Sequence, residues 1–261
     1  MNNIRTIHTL RYVTPLREGG SLPAIIEADD SFLYVLKFKG AGQGVKALVA
    51  EFIGGEIARL LGLKVPELVF ALLDEGFGRT EPDEEIQDLL KASTGKNLAL
   101  HYLSGSITYD PVVMTIDSQT ASTVVWMDAL LTNMDRTVRN TNMLMWYKEL
   151  WLIDHGACLY FHHNWANWEK AKTSSFPLIK DHVLLPQATS LAEADVRCKT
   201  LLTEEKIHAV LQQLPDEWLE TYDAALTADA VRESYLRFIC YRIQHSSLFL
   251  NEAIHAQTTT I

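Results

Sequence analysis

The chain has few cysteines, no long apolar run and a shortage of positive charge. Its three cysteines, Cys158, Cys198 and Cys240, match no zinc-ligand spacing, which favours reduced thiols in a cytoplasmic protein. No apolar run approaches the roughly 18 residues of a membrane span, and the N-terminus lacks the apolar core of a signal peptide. The net charge of −10 argues against nucleic acid as the main partner, because phosphate backbones are bound by basic surfaces.

The sequence does have enough apolar residues for a sizeable core, at 48% of 261 residues. Periodicity predicts strands and helices in an order that changes along the chain. The predicted strands cover residues 33–38, 65–73, 98–103, 142–145 and 150–153, and the predicted helices cover 45–61, a short stretch within 75–97, 118–131, 203–214 and 230–254. We therefore expect an α+β, two-lobed protein-kinase-like fold, with a small β-rich lobe (residues 1–104) and a mainly helical lobe (105–261).

The most informative segment follows the apolar helix at 118–131. Asp135 is followed five residues later by Asn140, and Asp154-His155-Gly156 comes after a short predicted hairpin. Phosphoryl transfer needs one carboxylate to orient the attacking hydroxyl, and a carboxylate with an amide oxygen to hold Mg²⁺ on the phosphates. The order and spacing of these residues supply those groups, although each motif alone is also an ordinary polar turn.

Lys37 lies in an otherwise apolar predicted strand, where a charge is unfavourable unless it is paired. Glu51 and Glu56 are the candidate partners in the following helix, and Glu51 is preferred from the face that it occupies. Lys39 shares the strand face with Lys37 and is the alternative to it. A surface lysine on an edge strand is the competing interpretation.

Two further stretches are candidate nucleotide contacts. Gly19-Gly20-Ser21 occupies the place of a phosphate-binding loop between two strands, although Gly-Gly is also a plain hairpin turn. His101 and Leu103 lie where a hinge between lobes would place backbone groups beside adenine. An ordinary core strand is the competing interpretation for His101 and Leu103, and the sequence does not choose between the two.

In these residues the chain resembles the HipA-like kinases, and most closely the group of short HipA-like domains of uncharacterised role. The resemblance rests on four segments and spans about residues 8–165. They are Tyr34-Val35-Leu36-Lys37-Phe38, Ala50-Glu51 with Ile57 to Pro66, Asn133 to Asn140, and Ile153-Asp154-His155-Gly156-Ala157. The Asn133-x-Asp135-Arg136 pattern is also similar to the phosphatidylinositol kinases.

The resemblance implies a serine/threonine phosphotransferase that uses ATP and Mg²⁺. It implies that Asp135 is the catalytic base, that Asn140 and Asp154 are metal ligands, and that Lys37 binds phosphate. It also implies that phosphorylation of Ser21 could silence the enzyme, with a plain turn serine as the alternative. The chain departs from HipA toxins at Thr137, where they carry histidine, and at His155, which stands in place of phenylalanine.

The acceptor stays open at this stage. A protein acceptor is one class, a small-molecule or lipid acceptor is a second, and a pseudokinase without turnover is a third. An operon-encoded protein partner is a further candidate. The paired His162 and His163 invite a metal interpretation, but adjacent strand residues face opposite sides, so the aromatic segment around them is expected to pack on the helical lobe.

Overall fold

Five strands form a closed barrel in the first part of the chain. The computed structural model describes residues 3–16, 22–78, 81–223 and 225–259. The barrel order is β1-β2-β3-β5-β4, with β1 and β4 parallel and the other pairs antiparallel. Because the barrel is closed, these strands leave no long edge unpaired. The strands are β1 (Thr6–Pro15), β2 (Ala24–Ala28), β3 (Leu33–Lys37), β4 (Leu68–Leu73) and β5 (Gly95–His101).

Two helices are inserted between barrel strands. Helix α1 (Gly44–Leu60) joins β3 to β4, and α2 (Glu84–Ala92) joins β4 to β5, close to the predicted positions. The chain leaves α1 through Gly62, whose φ of +78° lies in the left-handed region that glycine adopts at little steric cost. Every residue from Leu48 to Ala58 is buried, so α1 is packed on all of its sides there.

The second part of the chain is mainly helical around a small antiparallel sheet. Strands β6 (Ile107–Thr108), β7 (Met143–Trp146) and β8 (Glu149–Leu152) form that sheet in sequence order. The β7–β8 turn places Tyr147 and Lys148 at positive φ, as a tight two-residue hairpin requires. The helices are α3 (Ser118–Leu131), α4 (Trp168–Ala171), α5 (Leu191–Leu201), α6 (Glu204–Leu211), α7 (Asp216–Leu219), α8 (Ala228–Gln244) and α9 (Ser247–Thr259), with short 3₁₀ helices between residues 160 and 187.

The predicted single helix over residues 230–254 is wrong. Helix α8 ends at Gln244 and α9 begins at Ser247, with His245 outside helical backbone geometry. Phe238, Ile239, Phe249 and Ala253 nevertheless face one core. Because apolar spacing continues across the break, periodicity alone does not reveal it.

The main apolar core crosses the predicted boundary at residue 104. It joins Phe52 of α1, Leu100 of β5, Val124 of α3 and Trp218 of α7, while a second, smaller core fills the barrel. The Trp218 indole also donates to the Lys96 carbonyl at 3.2 Å. Across the described ranges, no helix combines the length and the apolar character needed to cross a membrane.

Candidate active site

Lys37, Glu51 and Asp154 form an ion-paired cluster between β3, α1 and the turn after β8. The Lys37 Nζ lies 2.8 Å from Asp154 Oδ1 and 3.4 Å from Glu51 Oε2. The Lys37 side chain is 13% exposed and that of Glu51 is 2% exposed, so both charges are largely removed from water. Burial favours a neutral lysine, but the charges of Glu51 and Asp154 raise the pKa of Lys37 above its ordinary value. Lys37 is therefore a permanent cation inside the cluster.

Glu51 is held from two sides. Its Oε2 also accepts a hydrogen bond from the backbone N–H of His155 at 3.0 Å. Burial opposes ionisation of Glu51, but the Lys37 charge and the contact with His155 lower the pKa of the carboxyl. Glu56, the other sequence candidate, pairs with Arg59 at 3.1 Å instead. The Lys39 ammonium lies against Gly95.

The turn Asp154-His155-Gly156 packs directly against α1. Asp154 has a φ of +55°, which is uncommon for a residue with a side chain and is found often at functional sites. A Cβ added to Gly54 would lie 2.5 Å from the Cβ of His155, so the helix and the turn approach as closely as a glycine permits. The Asp154 side chain remains 42% exposed, with Oδ2 unpaired among the described residues.

Asp135 lies in the loop after α3 and is oriented by side-chain amides. Its Oδ2 accepts from Asn140 Nδ2 at 2.8 Å and from Asn142 Nδ2 at 3.2 Å. Its backbone N–H donates to Asn133 Oδ1 at 3.2 Å. Asp135 Oδ1 accepts no hydrogen bond from the described residues. One carboxylate oxygen is thus fixed and the other is available to a ligand.

A buried polar network of Asp128, Asn133, Arg136 and His182 supports this loop. Asp128 of α3 accepts from Arg136 Nε at 2.6 Å and from Asn133 Nδ2 at 2.9 Å, and its Oδ2 lies 2.9 Å from His182 Nε2. Burial raises the pKa of a carboxyl, but the Arg136 charge and the contact with His182 hold the pKa of Asp128 well below its ordinary value. Asp128 therefore anchors the loop as a carboxylate.

The same network joins the Asp135 loop to the Asp154 turn. The Asn142 carbonyl accepts from the backbone N–H of Ile153 at 3.0 Å and from the Arg136 guanidinium. Arg136 also reaches the Ile153 carbonyl at 3.4 Å. The residue before Asp154 is therefore tied to the segment that orients Asp135. Sequence reasoning missed Asp128, Asn142 and His182; the one signal was a carboxylate inside the apolar helix 118–131.

Asn140 and Asp154 carry side-chain oxygens of the kind that a hard cation such as Mg²⁺ binds. Asn140 uses its Nδ2 toward Asp135, which leaves its Oδ1 without a partner among the described residues. Asn140 is exposed and Asp154 is partly exposed, so their oxygens are accessible. Oxygen ligands with water and phosphate completing the shell are what Mg²⁺ prefers. Within the described ranges, no group of three or more His, Cys, Asp or Glu side chains is arranged to hold a metal.

The two predicted hinge residues, His101 and Leu103, differ in whether their backbone N–H is free to bind a ligand within the described part of the chain. The His101 N–H donates to the Glu67 carbonyl at 2.9 Å, and the Tyr102 N–H donates to the Leu33 carbonyl at 2.9 Å. The Leu103 N–H has no acceptor in the part of the chain that the structure describes. Gly19, Gly20 and Ser21 lie outside the described residues, although Leu16 N–H and the Pro23 carbonyl, which flank them, are hydrogen-bonded at 2.7 Å.

The segment after Asp154 is packed by aromatic side chains. His162 is buried, with Nδ1 2.9 Å from the Tyr235 hydroxyl, and its ring stands perpendicular to that of His163. The Phe161 ring stacks on Phe238 at 4.1 Å. Lys46, in the first turn of α1, donates to the His162 carbonyl at 2.6 Å. This segment is therefore tied both to α8 and to the helix that carries Glu51.

Solved structures of two kinases are similar to this chain. A solved structure of CtkA, a proinflammatory kinase of Helicobacter pylori, superposes with a TM-score of 0.55 at 15% identity, covering 92% of this chain and 95% of that one. Two structures of the Golgi casein kinase, one of them with Mn/ADP bound, each give a TM-score of 0.41 at 11% identity. The match to the Mn/ADP complex covers 94% of this chain and 73% of that chain. A search of curated protein sequences finds no match.

The family comparison covers most of the sequence. The model of the HipA-like kinase family matches residues 10–247, which include both the Lys37 cluster and the Asp135 loop. The chain belongs to the HipA-like kinase family.

Proposed function

We propose that the chain transfers the γ-phosphate of ATP, bound with Mg²⁺, to a serine or threonine hydroxyl of a protein. One observation carries the proposal. The paired cluster of Lys37, Glu51 and Asp154 is joined through Asn142 to the loop that holds Asp135. A fixed cation, a carboxylate beside it and a second, oriented carboxylate are the groups that phosphoryl transfer requires. The nucleotide would lie between a lobe of residues 1–104 and a lobe of residues 105–261.

Lys37 would bind the phosphates of the nucleotide, with Glu51 holding its ammonium in place. The Leu103 N–H would donate to adenine, and Gly19, Gly20 and Ser21 would cover the phosphates. Asn140 and Asp154 would hold Mg²⁺, which when bound neutralises charge on the phosphate oxygens. Asp154 now pairs with Lys37 through Oδ1, which leaves Oδ2 for a cation.

Asp135 would orient the acceptor. Because Oδ2 is held by two amides, Oδ1 is the atom that receives the hydroxyl proton. The acceptor oxygen forms a bond to the γ-phosphorus while the bond between that phosphorus and the β–γ bridging oxygen breaks, and ADP leaves. Met134 (38% exposed) and Val138 (66% exposed) flank Asp135 and suit the apolar side chains of a polypeptide acceptor.

The test is Mg²⁺-dependent transfer of labelled γ-phosphate from ATP to the protein itself and to cell lysate. Asp135→Asn and Asp154→Asn should each lower incorporation at least about 100-fold, because they remove the base and a metal ligand. Glu51→Gln should lower it as well. Glu56→Gln is the matched control in the same helix and should keep wild-type activity, since the ion-pair partner of Glu56 among the described residues is Arg59 and not Lys37.

Other outcomes separate the alternatives. Transfer to a small-molecule or lipid fraction but to no protein would replace the acceptor that we propose. Binding of Mg·ATP by calorimetry without transfer to any fraction would indicate a pseudokinase or a missing partner, such as one encoded in the same operon. Intact-mass analysis after incubation with ATP tests Ser21; no added phosphate on Ser21 would end the idea of self-silencing.

A further inference from the structure

Three buried polar atoms that have no hydrogen-bond partner among the described residues lie together between α1 and the Asp154 turn. They are Glu51 Oε1, His155 Nδ1 and His155 Nε2. His155 is fully buried, and its ring packs against the backbone of Gly54. An unpaired buried polar atom destabilises a fold by about 1–3 kcal/mol, so an apolar ring would suit this place better if packing were its only role.

Two of these three atoms, one on each residue, face each other and could pair. His155 Nδ1 lies 3.7 Å from Glu51 Oε1. That distance is about 0.5 Å beyond the upper end of the usual range for an N–H···O hydrogen bond. Glu51 Oε2 is already occupied by Lys37 and by the His155 N–H, whereas Oε1 has no other partner among the described residues. A small rotation of the His155 ring would therefore close the contact without breaking a hydrogen bond of that ring with a described residue.

We propose that His155 is a positioning residue, whose Nδ1–H donates to Glu51 Oε1 in the nucleotide-bound state. This inference rests on the proposed phosphotransfer. Glu51 would then hold the turn through a side-chain bond as well as a backbone bond. Since Glu51 also holds Lys37, the phosphate-binding lysine and the metal-binding Asp154 would be fixed by one carboxylate. A phenylalanine at position 155 fills the same space but cannot make this link.

Three variants separate hydrogen bonding from packing. His155→Asn keeps a donor near the position of Nδ1. His155→Phe keeps an aromatic ring and removes the donor, and His255→Phe is a control at an exposed histidine of α9. We expect His155→Phe to lower kcat about 10- to 100-fold with a smaller change in the KM for ATP, because a misplacement of about 1 Å costs that much in rate. His155→Asn should recover most of kcat, and His255→Phe should match the wild type.

A second readout does not depend on turnover. Long-range ¹H–¹⁵N correlation spectra of the histidine rings show which nitrogen carries the proton. With Mg²⁺ and a non-hydrolysable ATP analogue, the proton of His155 should reside on Nδ1 in a hydrogen bond, and the signal should differ from that of the nucleotide-free protein. A proton on Nε2 in the nucleotide complex would overturn the proposal.

The outcomes distinguish this inference from the function on which it rests. Wild-type transfer with an equally active His155→Phe variant would refute the role of His155 and leave the phosphotransferase standing. A wild type that neither binds Mg·ATP nor transfers phosphate would refute the proposed function and this inference with it. Low kcat in both His155 variants, with normal folding and an Nε2 proton, would reduce His155 to a packing residue.

Discussion

Replacing Gly54 with alanine would place a methyl group against His155 inside the proposed active site. The new Cβ would lie 2.5 Å from His155 Cβ and 2.9 Å from its Cγ. Neither atom is the free end of a flexible side chain, so α1 or the Asp154 turn must move. Overpacking of this kind destabilises a fold by about 1–3 kcal/mol.

Gly55→Ala is the matched control. Both glycines are buried neighbours in α1, so both substitutions gain the same helix propensity of about 1 kcal/mol. The Cβ added to Gly55 would meet Leu68 Cδ1 at 2.7 Å, which is the end of a side chain that can turn away. The difference between the two variants therefore isolates the contact with His155.

We expect Gly54→Ala to be less stable than Gly55→Ala by about 1–3 kcal/mol. In a chain of this size the difference corresponds to roughly 2–4 °C in Tm for each kcal/mol. Phosphate transfer should fall about 100-fold in Gly54→Ala, because the turn that carries Asp154 is displaced from Lys37. Differential scanning fluorimetry and the labelled-ATP assay measure the two effects. Equal stability and equal activity of the two variants would refute the close packing of α1 on the turn.

Three other predictions concern residues that tie the site to its surroundings. Lys46→Met removes the bond to the His162 carbonyl and should lower kcat roughly tenfold, with Lys46→Arg restoring it; unchanged kinetics in Lys46→Met would refute the link. Burial, with the neighbouring charges, holds the pKa of His162 well below 6.5, so below that pH the unfolded chain binds a proton that the folded chain does not. The free energy of unfolding should fall by about 1.4 kcal/mol per pH unit there, and His162→Gln should flatten that slope in urea titrations at pH 7 and 5.5. Arg242→Met should destabilise the fold by about 3 kcal/mol or more in urea titrations, because the carbonyls of Ala129, Leu130 and Ser174 lose their donor; a loss below about 1 kcal/mol would contradict this.

The sequence predicts features that depend on short stretches of chain. Helix α3 begins as expected because Asp117 caps it, accepting from the Thr120 N–H at 2.9 Å. It ends as expected at Leu131, where the following Thr132 adopts left-handed backbone geometry. The β7–β8 hairpin is likewise local. The groups near Asp135 and Asp154 are visible because each is a compact motif of a few residues.

Features that depend on distant partners could not be read from the sequence. The Asp128 network needs His182, which is 54 residues away along the chain, and neither residue carries a local sign of the other. In the sequence, Asn142 is an ordinary residue at the start of a predicted strand. Only the structure shows that its side-chain amide donates to Asp135. Helices α8 and α9 both contribute residues to the main core, so the apolar spacing runs on across the break between them and does not reveal it.

The packing of α1 determines how the two halves of the site are held together. Helix α1 supplies Glu51, yet it contacts α3, α6 and α7 as well as β5. Helix α3 in turn carries Asp128, which anchors the Asp135 loop. The separation between Lys37 and Asp135 therefore depends on helix packing in the main core as much as on the barrel. Substitutions in that core, far from any ligand, should lower activity and stability together. The same is expected of substitutions at Leu36 and Phe38, which flank Lys37 and belong to the smaller core inside the barrel.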